Sequence, residues 1–190
     1  MGIIMKRNVF WAAIAVSAAL FSGTEDVSAA DPDPANTMVI FLEEDRVFIE
    51  MWPDVAPAHV ARIKELAAQG FYDGLAFHRV IDGFMAQTGD PNGDGTGGSG
   101  TKLKAEFSDV PHLRGTVSMA RARDPDSGDS QFFIMLAPAP HLDGQYTAWG
   151  RVISGMKYVD EVKKGDSNGN GKVSDPDHIV RMRLAADLLD

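Results

Sequence analysis

Hydrophobic and polar positions change period along this chain, and each change marks an element. From Thr37 to Trp52, TMVIFLEEDRVFIEMW, two β-branched and aromatic runs flank the acidic turn Glu43–Asp45, the pattern of a hairpin. From Pro57 to Gln69 the period becomes helical. Val60, Ile63, Leu66 and Ala67 share one face, and Gly70 supplies the stop. Phe77 to Ile81 and Phe84 to Thr88 read as short strands about Asp82-Gly83, and Asp90 to Thr101 as a glycine-rich loop. Gly115 to Arg121, Gln131 to Leu136 and Thr147 to Ile153 are three more strands. Met156 to Lys163 predicts a second, short helix with Val159 and Val162 inward. Gly165 to Asp177 is a polar loop, and Ile179 to Ala185 closes as a strand. Alternating βαβ units are absent, which argues against a doubly wound parallel sheet. The expectation is a mainly β fold: an eight-stranded antiparallel barrel capped by two α-helices.

The first residues follow another pattern. Lys6 and Arg7 precede Val9–Phe21, a stretch of 13 residues without a charge. Small residues follow, with Val27 and Ala29, or Ser28 and Ala30, placed for a peptidase that reads small side chains. This is the pattern of a secretory signal peptide, residues 1–29. As a helix the stretch spans about 20 Å at roughly 1.5 Å per residue, short of a bilayer core of about 30 Å. Cleavage is therefore expected, with an uncleaved anchor as the alternative, and the mature protein is expected to be exported, in the periplasm. Residues 30–36, which include DPDPAN, form a proline-rich polar linker, and 37–187 is the folded domain.

Composition narrows the chemistry. The chain has no cysteine, so disulfides, thiol catalysis and thiolate metal sites are excluded. The net charge of −9 argues against a nucleic-acid binder, which needs a basic patch to displace counterions. Residues 1–29 carry two basic and two acidic residues (Lys6, Arg7, Glu25, Asp26), so the charge stays −9 after cleavage. The five histidines are scattered, and neither HExxH nor GxSxG occurs, which leaves a hydrolase without support.

Three blocks carry a resemblance. FHRVIDGFMAQTGDPNGDGTGG (Phe77–Gly98), GTVSMARARDPDSGDSQFFIML (Gly115–Leu136) and HLDGQYTAWGRVISGM (His141–Met156) follow, in order and spacing, the pattern of cyclophilins. The likeness covers roughly Thr37 to Ala185. It implies a peptidyl-prolyl cis-trans isomerase acting on proline-containing polypeptides without a cofactor, here on exported proteins as they fold. No oligomer is expected. The competing reading is a module that holds proline-containing segments with little turnover.

The residue types suit that chemistry. An Xaa-Pro bond turns slowly because rotation breaks amide resonance, at a barrier of about 20 kcal/mol. In the twisted transition state the proline nitrogen becomes pyramidal and basic, and a donor that binds this state selectively speeds the step. Arg79 suits the role, being always charged and carrying a fork of donors. One charge-assisted hydrogen bond, worth about 1.5–3 kcal/mol, explains ten- to a few hundredfold. The rest must come from fixing the proline ring and excluding water. The resemblance implies that Phe84, Met85, Phe133 and Leu142 surround that ring, that Gln87 holds the substrate carbonyl or orients Arg79, and that the backbone of Ala120 and Arg121 pairs with the substrate. His78 is read as structural, since rotation about an amide transfers no obligatory proton.

The chain also departs from the family pattern. A rim tryptophan is replaced by His141, a histidine by Tyr146, and an asparagine by Arg121. With His141 in place of an indole, cyclosporin binding is expected to be weak. Finally, Asp166, Asn168, Asn170, Ser174 and Asp177 fall at EF-hand loop positions, with glycine at the sixth. No metal is the primary expectation and calcium the alternative. Against calcium, the last ligand is Asp rather than Glu, and Asp90-Pro-Asn92-Gly-Asp94-Gly95 opens in the same way within the glycine-rich loop.

Overall fold

In the computed structural model, which describes residues 31–43, 45–166 and 168–189, the predicted strands join one antiparallel sheet. The elements are β1 (Thr37–Phe41), β2 (Arg46–Met51), α1 (Pro57–Ala68), β3 (Arg79–Ile81), β4 (Met85–Thr88), β5 (Thr116–Met119), β6 (Phe132–Met135), β7 (Ala148–Ser154), α2 (Met156–Glu161) and β8 (Arg181–Leu184). The strand order is β3-β4-β6-β5-β7-β2-β1-β8. Elements fall where the pattern placed them, mostly a residue or two shorter. The expected signal peptide, residues 1–29, lies outside the described residues. Part of the expected linker is ordered: Pro34–Asn36 forms a 3₁₀ turn whose N-cap, Asp33, accepts from the Ala35 amide at 2.9 Å.

The sheet curls because β7 carries a bulge in each of its ladders. Its register slips against β2 between Phe48 and Ile49, and against β5 between Val117 and Ser118. An extra residue bends a strand and raises its twist. The curl makes a half-barrel rather than a ring of paired strands, since edge strands β3 and β8 do not pair with each other. The polar segment after α2 bridges the seam instead. Val80 donates to Gly171 O at 2.8 Å, Val173 to His78 O at 3.0 Å, and Phe77 to Asp177 O at 2.9 Å.

The core fills the concave side. Met38, Ile40, Ile49, Val80, Phe132, Ile134 and Trp149 are each fully buried there. Helix α1 presents Val60, Ile63, Leu66 and Ala67 to them, as its spacing predicts. Its first amides would be orphans, because Ala56 offers no capping side chain. Glu106 caps them from a distance, accepting from Ala58 N and His59 N at 3.0 Å each and meeting His59 Nδ1 at 2.6 Å. Helix α2 is shorter than expected, yet Val159 and Val162 are buried as predicted.

Strand β6 (Phe132–Met135) is apolar on both faces, and β4 places Met85 and Ala86 on opposite faces beside it. Ala86, Phe132 and Ile134 enter the core, while Met85, Phe133 and Met135 join Ala139 and Leu142 in a second, separate cluster. A sheet with one solvated face should alternate. The lack of alternation shows that the outer face of this corner is covered as well.

Candidate active site

Strand register assembles the site on that outer face. Directly opposed residues of antiparallel strands share a face. Arg79 pairs with Gln87, and Gln87 with Phe133, so these three form one row across β3, β4 and β6. Ile81, Met85 and Met135 form the next row. The first row sets a cation and an amide beside an aromatic ring, and the second supplies an apolar floor.

The polar row continues in both directions. Arg79 Nη1 donates to Gln87 Oε1 at 3.1 Å. Gln87 Nε2 donates to Gln131 Oε1 at 2.9 Å, and Gln131 Nε2 donates to Gly95 O at 3.1 Å and Gly97 O at 2.8 Å. Arginine can only donate and carbonyls only accept, so the chain fixes both amide orientations. On its other edge Arg79 meets one residue twice: Nε donates to Asn170 O and Nη2 to Asn170 Oδ1, each at 3.0 Å. Among the described residues, one Nη2 hydrogen is left without a partner. Burial lowers the Arg79 pKa from its usual value, with Tyr146 opposing, but a guanidinium this basic stays charged.

The apolar residues expected around a proline ring come together. Met85, Phe133 and Leu142 are buried within the second cluster, with Phe84 and Ala120 packed against it. Phe84 lies in the turn before β4 rather than in the strand. Its carbonyl accepts from Leu136 N at 2.8 Å. His141 is exposed and stacks on Phe84, with ring centroids 5.8 Å apart. The Ala120 amide is already engaged by Gln131 O at 2.9 Å. The carbonyl of Ala120 and the amide of Arg121 have no intramolecular partner among the described residues. The Arg121 side chain folds over the Tyr146 ring at 4.5 Å and donates to Gln145 O at 2.9 Å. A cavity of about 190 Å³ adjoins the row, lined among others by Gln87, Lys102, Ala120, Arg121, Asp129 and Gln131.

His78 points away from this face. It is buried, and neither ring nitrogen has a hydrogen-bond partner among the described residues. Burial lowers its pKa, against the attraction of Asp90.

The structure adds residues that the sequence did not single out for this site. Gln131 is one, although it alternates with Phe133 and Met135 along a single face. Beneath Phe133, Ser118 Oγ meets His112 Nε2 at 2.9 Å, and His112 Nδ1 meets Asp143 Oδ1 at 2.9 Å. Ser118 is fully buried, so this set does not serve as a nucleophilic triad for an outside substrate. Its visible contact is with the pocket: His112 stacks on Phe133 at 6.4 Å. Hydrogen bonds from the His112 backbone and ring hold Asp143 below its usual pKa.

Three of the five residues weighed at calcium-loop positions have other side-chain partners. Asp166 Oδ1 accepts from Asn168 N at 2.9 Å, Asp177 Oδ2 accepts from Lys163 N at 2.7 Å, and Asn170 holds Arg79. Among the described residues, no three His, Cys, Asp or Glu side chains are grouped to hold a metal ion. No helix among them is long and apolar enough to cross a membrane.

The fold and the row around Arg79 define a class of barrel isomerase, and comparison with known proteins agrees. Residues 37–184 match the family model "Cyclophilin type peptidyl-prolyl cis-trans isomerase/CLD". A "Probable peptidyl-prolyl cis-trans isomerase" of Brucella suis is 50% identical over 188 residues, covering 93% of this chain and 95% of the relative. "Peptidyl-prolyl cis-trans isomerase B" of Bacillus subtilis is 48% identical over 130 residues, 66% of this chain and 90% of the relative. Among solved structures, the cyclophilin AquaCyp293 of Hirschia baltica superposes with a TM-score of 0.73 at 28% identity, covering 88% of this chain and 82% of that one. A Cryptosporidium parvum cyclophilin, crystallised in the presence of the dipeptide Ala-Pro, gives 0.71 at 29% identity, covering 78% and 98%. The chain belongs to the cyclophilin-type peptidyl-prolyl cis-trans isomerases, and the reaction it catalyses is rotation about the bond preceding proline.

Proposed function

We propose that this isomerase acts on Xaa-Pro bonds of exported proteins as they fold in the periplasm, with Arg79 as the catalytic cation. The observation that carries the site assignment is the row Arg79–Gln87–Phe133, which sets a guanidinium beside an apolar floor of matching residue types. Proline packs against Phe84, Met85, Phe133 and Leu142, with His141 extending the rim over Phe84. The free carbonyl of Ala120 and amide of Arg121 take the substrate main chain. Rotation makes the proline nitrogen basic, and Arg79 stabilises that state more than the planar ground state. The N-terminal pattern supports export.

A protease-coupled assay on a proline-containing peptide tests the cation. Arg79→Ala should lower kcat/KM about a hundredfold, ~2.7 kcal/mol, with melting temperature retained. Activity near wild type would overturn the assignment. An N-terminal mass near the Ala29 or Ala30 cleavage points, measured on periplasmic protein, supports export; an intact chain in the cytoplasm refutes it. Weak cyclosporin binding belongs to the same proposal, because an imidazole offers a smaller face than an indole. Inhibition as tight as in a tryptophan-bearing relative would sink it.

A further inference from the structure

We propose that Asn170 is a positioning residue for the isomerisation, fixing the Arg79 guanidinium in the orientation that meets the proline nitrogen. This rests on the reading of Arg79 as the catalytic cation. Arginine is long and flexible, so a cation that acts by geometry must be held. Gln87 holds Nη1 from within the sheet. Asn170 holds the opposite edge, with backbone oxygen on Nε and side-chain oxygen on Nη2. Two contacts from one residue to one planar edge fix the tilt of the guanidinium, which Gln87 alone cannot do.

The turn that presents Asn170 is itself registered on β3. Gly165 donates to Val80 O at 2.9 Å, Val80 to Gly171 O at 2.8 Å, and Val173 to His78 O at 3.0 Å. The backbone on either side of Arg79 is thus bonded to the segments flanking Asn170. Asn170 itself adopts φ +55°, a left-handed conformation that asparagine tolerates better than most residues. The acceptor chemistry also fits. Both Asn170 oxygens are neutral, and among the described residues Arg79 makes no ion pair with a carboxylate. The cation is oriented without being neutralised, so its field remains available to the substrate.

Asn170→Gly isolates the side-chain contact, because glycine keeps the carbonyl and accepts the positive φ. On a proline-containing peptide, kcat should fall about tenfold with KM within about twofold, since the lost contact acts on the transition state. In an Arg79→Ala background the same substitution should cost nothing further. The ¹⁵N–¹H signal of Arg79 Nη2, which loses its acceptor, should weaken in Asn170→Gly, while that of Nε, held by the retained carbonyl, should persist. Asn170→Asp, which keeps an acceptor at the same reach, should recover the Nη2 signal. A kcat within twofold of wild type in Asn170→Gly overturns the proposal, as does an undiminished loss in the Arg79→Ala background. If Arg79→Ala itself retains full activity, the reading of Arg79 fails first and takes this one with it.

Discussion

Two loops of this protein open with nearly the same six residues: Asp90-Pro-Asn92-Gly-Asp94-Gly95 and Asp166-Ser-Asn168-Gly-Asn170-Gly171. They are held in different ways. The first is fastened from within. Asp90 is 1% exposed, and its carboxylate accepts from the amides of Asn92, Asp94 and Gly95 at 2.9, 3.0 and 2.5 Å. The second adds a fastening from outside. Asp166 is exposed; its carboxylate holds only the Asn168 amide and its carbonyl the amides of Gly169 and Gly171, while Val80 of β3 donates to Gly171 O. The fifth residue separates their roles. Asp94 turns back to Thr96, accepting from its amide at 2.9 Å, whereas Asn170 reaches Arg79. Both loops end on one polar chain: the first through Gly95 and Gly97 to Gln131 and Gln87, the second directly. Shared turn chemistry therefore predicts shared local shape, and the function of each loop depends on what lies beside it.

The sixth residue offers the sharpest way to break this comparison. Gly95 and Gly171 both have positive φ, +91° and +78°. A methyl group at Gly95 would meet open space, but at Gly171 it would strike Ile81 Cγ1 and press on Val80 O at 3.0 Å. Gly95→Ala should cost about 1 kcal/mol of stability, for the left-handed backbone alone. Gly171→Ala adds forced packing and should cost roughly 3 kcal/mol, displacing β3 and Arg79 with it. Urea unfolding of the two variants measures the difference. Equal losses would show that the second loop is not fixed by its contact with β3.

A smaller effect tests the first loop's end of the chain. Gln131→Ala removes the acceptor of Gln87 Nε2 and the donor to Gly95 and Gly97. Arg79 keeps Gln87 and Asn170, so it is disturbed only at second remove. We expect kcat/KM to fall about threefold, ~0.7 kcal/mol, less than for Asn170→Gly. A larger loss in Gln131→Ala would make the glycine-rich loop, rather than Asn170, the main support of Arg79.

These effects also mark what the sequence could reveal. The hairpins, α1 and the corner strands were legible because their side-chain periods are local. Arg79, Phe84, Met85 and Gln87 were legible together as candidates because they lie in one run that resembles the cyclophilins, and the hairpin about Asp82-Gly83 brings Arg79, Met85 and Gln87 to one face. Asn170 was read as a turn former or calcium ligand and never as a partner of Arg79, since its bond to Arg79 spans 91 residues and no period records it. Glu106 capping α1, 48 residues from Ala58, was hidden for the same reason. The seam was hidden differently. Gly165, Gly171, Val173 and Asp177 bond to β3 and the residues before it through their main chain, so their side chains carried no strand pattern.

The smallest expected effect concerns His78, which lies between the two loops. Its carbonyl accepts from Val173, beyond the second loop, and its ring feels Asp90 and Asp94 of the first. Burial holds its pKa below the ordinary value of 6.5, with Asp90 partly offsetting this. A histidine with a lowered folded-state pKa favours the neutral form in the native protein. Below pH 6.5 the unfolded chain therefore binds more protons, and stability falls as pH drops through the folded pKa. The slope from one group is at most about 1.4 kcal/mol per pH unit. Asp90→Asn removes the attraction that keeps the folded pKa from dropping further, so it should extend the sensitive window to lower pH. His78→Phe should abolish this part of the slope and leave kcat at neutral pH within about twofold, because rotation needs no proton from it. Urea midpoints between pH 7.5 and 5.0 decide the matter. An unchanged pH slope in His78→Phe would mean that the ring is not held neutral between the loops, and a large loss of kcat would give His78 a role in catalysis.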